Sequence, residues 1–161
     1  MAVGSLIRRY WDSLCFIALL NDEEGAEDCE KILDDAREEK TQIIVSPLVQ
    51  VEVIRPRGSS HPIPKADEEK VRAFFENDYI RWRIIDRKIA DAARDLCWLY
   101  SGVHPRDAIH LAVAIDTKCD FLETSDARLL GLHGKIQNSS LRIVKPKWVG
   151  QPELFKSTDN S

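Results

Sequence analysis

Apolar positions along this chain fall in short blocks, and the spacing within them changes from block to block. Ser5 to Trp11 reads as a first strand, with a helix from Ser13 to about Leu20 behind it. Between Glu24 and Lys40 the apolar residues Ala26, Cys29, Ile32, Leu33 and Ala36 recur at helical spacing, which predicts a second helix. Gln42 to Val45 is short and rich in β-branched residues, as strands are. Ser46-Pro47 looks like a helix N-cap followed by proline in the first turn, and the helix should run to about Arg55. The Pro, Gly and Ser of 55–64 predict a loop. A helix over about Ala66–Asn77, a strand over Tyr79–Ile85 and a helix over Arg87–Tyr100 capped by Asp86 come next. Pro105 opens a helix that should end near Lys118, followed by a strand at Phe121–Glu123, a short helix begun by Ser125-Asp126, and a last strand at Leu141–Val144.

Strands and helices that alternate in this way build a mostly parallel sheet covered on both faces. The expected class is therefore α/β, a three-layer α/β/α arrangement. At 161 residues one domain is expected, over 1–148, with a polar tail from 149 to 161. No internal repeat is visible.

Composition narrows the classes. Hydrophobic residues make up 43% and charged residues 31%, a globular balance. The formal charge of -4 gives no overall basic field, which argues against a non-specific nucleic-acid binder but leaves room for local basic surface. The four cysteines contain no C-x-x-C pair, so a zinc site is not expected; Cys15, Cys97 and Cys119 lie among apolar residues as buried thiols, which suits a reducing cytoplasm. Arg8-Arg9 before Leu14–Leu20 imitates a signal peptide, but the apolar run is too short, Asp12 precedes it and no small-residue cleavage site follows. No stretch approaches the roughly 18 apolar residues of a membrane span. Walker, Gly-x-Gly-x-x-Gly and G-x-S-x-G patterns are absent.

Four acids then stand out, because they interrupt or border the most apolar segments. They are Asp12, Glu52, Asp107 and Asp126. Buried carboxylates need a partner, and several in one pocket repel unless a cation holds them. Asp12 falls at the carboxyl end of a predicted strand, Asp126 just beyond another, and Asp107 in a helix's first turn; ligands bind at that edge of an open α/β sheet. Ordinary explanations exist for each: a cap for Asp12 and Asp126, a helix-dipole acid for Asp107, an ion pair with Arg55 for Glu52. His110, three residues after Asp107, has a spacing that suits ligation, although a histidine on an apolar helix is more often a satisfied core residue.

Taken together, Tyr10-Trp11-Asp12-Ser13, Ser46-Pro47-Leu48-Val49-Gln50-Val51-Glu52-Val53, Arg106-Asp107-Ala108-Ile109-His110-Leu111-Ala112-Val113-Ala114 and Leu122-Glu123-Thr124-Ser125-Asp126 resemble, in order and spacing, the motifs of the PIN domain family of metal-dependent ribonucleases. The likeness runs from about Leu6 to Val144. Size brings it nearest the VapC-like toxins of type II toxin–antitoxin modules. Leu14, where a polar residue often follows the Asp-Ser pair, and the insertion 56–65 depart from that branch. The resemblance implies that Asp12, Glu52, Asp107 and Asp126 hold one or two Mg²⁺ or Mn²⁺ ions and cut RNA to leave a 5′-phosphate and a 3′-hydroxyl. Ser13 and Thr124 would support the ligands or contact phosphate. Arg55, Arg106 and Arg128 each lie within three residues of a proposed ligand and are candidates for RNA contact. An antitoxin and a homodimer are further implied partners. Two other readings use the same acids: a PIN-like module that binds RNA or protein without cutting, and a PIN nuclease of RNA processing outside any toxin pair. A haloacid-dehalogenase-type phosphatase needs Asp-x-Asp after the first strand, and Leu14 stands at the second position.

Overall fold

The computed structural model describes residues 5–150. In chain order the elements are β1 (Ile7–Trp11), α1 (Ser13–Asn21), α2 (Ala26–Arg37), β2 (Thr41–Val45), α3 (Pro47–Glu52), α4 (Lys65–Phe75), β3 (Ile80–Trp82), α5 (Arg87–Leu99), α6 (Pro105–Asp116), β4 (Phe121–Glu123), α7 (Ala127–Leu130) and β5 (Arg142–Val144). Every strand pairing is parallel, and the sheet order is β3-β2-β1-β4-β5. The expected α/β class with a parallel central sheet is thus what the chain adopts. Parallel connections in one sheet are right-handed. The chain steps outward from β1 to β2 to β3, then returns across the sheet to β4 and β5. That reversal sends α5 and α6 to the face opposite α1–α4. The helices pack accordingly, α1 against α2, α3 and α4, and α5 against α6.

The sheet is apolar on both faces because helices cover both. Tyr10, Trp11, Ile43, Val45 and Leu122 have no exposed surface, and successive strand residues are buried rather than alternating. The edge strand β3 differs: only Ile80 is buried, while Arg81 and Trp82 face out. It spans three residues, shorter than the expected 79–85, because pairing with β2 ends when Arg83 N–H reaches the Val45 carbonyl at 2.9 Å. Asp86 then caps α5, accepting from Ile89 N–H at 3.0 Å, as expected.

Two other boundaries move for local reasons. α2 begins at Ala26 instead of Glu24 because Gly25 sits at φ +89, a left-handed conformation that glycine adopts without penalty. α3 ends at Glu52, where the sequence suggests Arg55: Val53 already leaves helical geometry at φ −87 and ψ 85, and Pro56 disfavours a helical Arg55. Ser46 occupies the N-cap position of α3, yet its hydroxyl makes no cap bond. The four cysteines are free thiols, three of them buried. No helix among the described residues is long and apolar enough to cross a membrane. Of the tail expected from 149 onward, all but Val149 and Gly150 lies outside the described residues.

Candidate functional site

The return of the chain to β4 makes the boundary between β1 and β4 the switch point of the sheet, where the connections on either side leave toward opposite faces. In an open α/β sheet, ligands bind outside the carboxyl ends of the strands at such a point. Asp12 follows β1 directly and Asp126 lies three residues beyond β4. Register holds the two ends level, with Trp11 beside Glu123. One threonine links the two acids. Thr124 Oγ1 donates to Asp12 Oδ2 and accepts from the Asp126 backbone N–H at 2.9 Å.

Asp12 also caps α1, its Oδ1 accepting from Leu14 N–H at 3.0 Å. The cap and the site are therefore not alternatives, since one carboxylate has two oxygens. Burial pushes the Asp12 carboxyl up to about 6, against the opposing pull of Thr124, His110 and the Leu14 amide; the nearby Glu52 charge pushes the same way as burial. Asp107, in the first turn of α6, is 1% exposed, and its Oδ2 is buried without a hydrogen bond. The nearest cation to that oxygen is Arg128 Nε at 3.7 Å, and the same Nε lies 3.9 Å from Asp126 Oδ1. Asp126 itself caps α7 through the Arg128 N–H at 2.8 Å.

Glu52, the last residue of α3, reaches α6. Its Oε2 lies 3.2 Å from His110 Nε2 and its Oε1 lies 3.0 Å from Arg106 Nε. The Arg106 contact lacks hydrogen-bond alignment, so Glu52 Oε1 is a second buried oxygen with no hydrogen bond. Burial pushes the Glu52 carboxyl up, but the His110 bond and charge, a Ser13 hydrogen bond and the Arg106 guanidinium outweigh it and hold the group below its usual value. The ordinary alternative for Glu52, an ion pair with Arg55, does not form. Arg55 instead meets His61 within its own loop, whereas Arg106 and Arg128 stand against the acids.

Four residues beside and beneath the acids were not assigned to the site from sequence. Tyr10 and Ser46 join His110 in a buried row of polar groups, Tyr10 Oη lying 3.0 Å from Ser46 Oγ and 2.7 Å from His110 Nδ1. Arg9 and Glu123 form a buried ion pair at 3.0 Å, and Trp11 Nε1 donates to Glu123 Oε1 at 3.1 Å. The legible signal for Arg9 and Glu123 was charge of opposite sign on two strands that pair in register. Tyr10 and Ser46 carried none, because a strand tyrosine and a serine before proline both have commoner uses.

Oxygen-only donors suit a hard divalent cation such as Mg²⁺ or Mn²⁺. Among the described residues, no three His, Cys, Asp or Glu side chains stand together at ligating spacing as placed. The chain's own side chains lie between them: the Arg128 guanidinium beside Asp107 and Asp126, the Arg106 guanidinium and the His110 ring beside Glu52. The donor chemistry nevertheless fits. Two buried carboxylate oxygens lack hydrogen bonds, and an unsatisfied buried charge is costly unless a cation meets it.

Solved structures share this fold at low identity. VapC20 of Mycobacterium tuberculosis, a toxin that cleaves the Sarcin-Ricin loop, is 15% identical with a TM-score of 0.54, over 74% of this chain and 90% of its own. VapBC2 of Rickettsia felis, bound to a DNA fragment from its promoter, is 14% identical with a TM-score of 0.59, over 85% and 98%. A toxin–antitoxin complex from Klebsiella pneumoniae is 20% identical with a TM-score of 0.58, over 88% and 99%. No curated protein matches the chain in sequence. The sequence model of the PIN domain matches residues 9–133, which include all four acids, and the chain belongs to the PIN domain family.

Proposed function

We propose that this protein is a divalent-metal-dependent endoribonuclease, with Asp12, Glu52, Asp107 and Asp126 holding one or two Mg²⁺ or Mn²⁺ ions. The observation that carries the reading is the pair of buried carboxylate oxygens without hydrogen bonds, Glu52 Oε1 and Asp107 Oδ2, on elements that meet at the switch point. Bound there, the cation would supply a Lewis acid for the phosphodiester and a water of lowered pKa.

The chain's own residues have defined tasks in this proposal. Thr124 and the Leu14 amide fix both oxygens of Asp12, so that carboxylate cannot turn away from the switch point. Ser13, at the start of α1, would support the ligands or contact phosphate. Arg106 and Arg128 are about half exposed or more, with side-chain exposures of 62% and 52%. Long and solvated, they can leave the carboxylates for an RNA phosphate when a cation takes their place. A guanidinium pairs with phosphate through two parallel hydrogen bonds, so Arg suits this exchange better than Lys. Arg55, occupied with His61, would join them only after a change in its loop.

The fold neighbours come from toxin–antitoxin systems, which supports the further proposal that this protein is the toxin of such a pair, acting in the cytoplasm as a homodimer with an antitoxin partner. The same nuclease chemistry in RNA processing, without an antitoxin, is the alternative.

A second reading draws on a different observation. Arg106 and Arg128 already neutralise part of the acid cluster, as they would in a PIN-like module that binds RNA or protein without cutting it. Mg²⁺ titration with a cleavage readout separates the two. The nuclease reading expects cleavage that rises with Mg²⁺, stops in EDTA, and is absent in Asp12→Asn and Asp107→Asn proteins that remain folded. Wild-type cleavage surviving in excess EDTA, or no cleavage at any Mg²⁺ concentration, would sink it.

A further inference from the structure

One buried row of polar groups leads up to the proposed site. It runs from Ser46, at the end of β2, through Tyr10 on β1 to His110 on α6, and ends on Glu52. Ser46 and Tyr10 have no exposed surface, and His110 is 3% exposed. The contacts are 3.0 Å, 2.7 Å and 3.2 Å in turn.

Its hydrogen-bond directions can be worked out from the acid end. An ionised carboxylate only accepts, so His110 Nε2 must carry the hydrogen that meets Glu52 Oε2. In a neutral ring Nδ1 is then bare and accepts from the Tyr10 hydroxyl. Tyr10 oxygen in turn accepts from Ser46. This also explains why Ser46 makes no cap bond to α3, since its hydroxyl is engaged with Tyr10.

We infer that His110, oriented by Tyr10 and Ser46, is a positioning residue that fixes Glu52 through its Nε2–H and so presents Glu52 Oε1 to the cation. The inference rests on the metal-nuclease reading above. Its physical basis is the place of Glu52 in the fold. The residue ends a six-residue helix, and the next residue already departs from helical geometry. Apart from the solvated Arg106 guanidinium, 3.0 Å from Oε1, little else described holds a glutamate there against rotation toward solvent. With Oε2 held, Oε1 is left buried and without a hydrogen bond. The ring itself cannot turn, since Nδ1 is anchored from the other side. Partners that orient a metal ligand in this way typically change metal affinity by about 10–100-fold when removed.

The test has two parts on the full-length protein. Long-range ¹H–¹⁵N NMR of the metal-free wild type reads which ring nitrogen of His110 is protonated; Nε2–H is expected, and a bare Nε2 overturns the inference. Mn²⁺ affinity, measured by EPR, is then compared across variants checked for folding by near-UV circular dichroism. His110→Leu should weaken Mn²⁺ binding about 10-fold or more. His110→Gln, whose amide N–H can reach Glu52 as Nε2–H does, should recover most of that loss. Tyr10→Phe, which removes only the hydroxyl, should fall between them. His110→Leu binding as tightly as wild type, or His110→Gln binding as weakly as His110→Leu, overturns the positioning role. If the wild type binds no Mn²⁺ while Nε2 is protonated, the metal reading is what falls, and the role toward a cation falls with it.

Discussion

Asp12 and Glu123 are both buried carboxylates at the carboxyl end of the sheet, yet their surroundings give them opposite roles. Glu123 has a full partner in Arg9 and a second donor in Trp11, so its charge is met inside the protein. Removing one side of such a pair leaves the other charge buried, at a cost of about 3–5 kcal/mol. Glu123→Ala should therefore lower the urea midpoint sharply, with or without Mg²⁺. Asp12 has only neutral donors, and burial raises its pKa to about 6. A carboxyl whose folded pKa lies above its unfolded value stabilises the fold at acid pH, and that contribution is lost as pH rises through the folded value. For Asp12 the window runs from about pH 4 to 6. Asp12→Asn, which keeps a good N-cap, should then stabilise the metal-free protein at pH 7.5 by about 1–3 kcal/mol, and by much less at pH 4. Urea unfolding in EDTA at the two pH values checks both size and sign. An unchanged difference between them would show that burial does not tune this carboxyl. From sequence, Asp12, Glu52, Asp107 and Asp126 stood out because acid interrupts or borders apolar runs. Glu123 sits in such a run as well, and only the pairing of β4 with β1 brings it within reach of Arg9.

Elements were legible where a local signal set their limits and less so where a neighbour did. α5 follows from its apolar spacing and from Asp86, and the cap forms as the sequence suggests. Asp86→Ala should cost about 1 kcal/mol from the lost cap, read as a shift in urea midpoint with metal binding unchanged. The strand expected over 79–85 shrinks to Ile80–Trp82 because it is an edge, with β2 alone to pair against. Ser46 had the local look of a cap and instead serves Tyr10, a residue 36 positions away. α3 was expected to run to about Arg55, which would have left a Glu52–Arg55 pair open as the ordinary explanation of Glu52. Its early end frees Glu52 to turn toward α6, where His110 and Arg106 stand. In each case the decisive contact crosses between elements, and no window of sequence contains it.

Across the whole molecule the site concentrates negative charge on a chain already at -4. A cation that binds the folded protein and not the unfolded chain stabilises it by mass action, about 2.7 kcal/mol at a hundred times its dissociation constant. Mn²⁺ should raise the melting temperature, EDTA should reverse the rise, and Asp107→Asn should abolish it; differential scanning calorimetry measures all three. RNA binding should weaken steeply with salt, and Arg106→Ala or Arg128→Ala should flatten that dependence. β4 lies beside β1 although β2 and β3 come between them in the chain. Asp12 and Asp126 thus belong to opposite ends of the domain and meet through a pairing that spans more than a hundred residues. Contacts so distant along the chain close late in folding. A polypeptide still emerging from the ribosome holds Asp12 and Glu52 long before it can hold the full set of acids. The fold thereby delays any activity of this site until nearly all of the domain has been made.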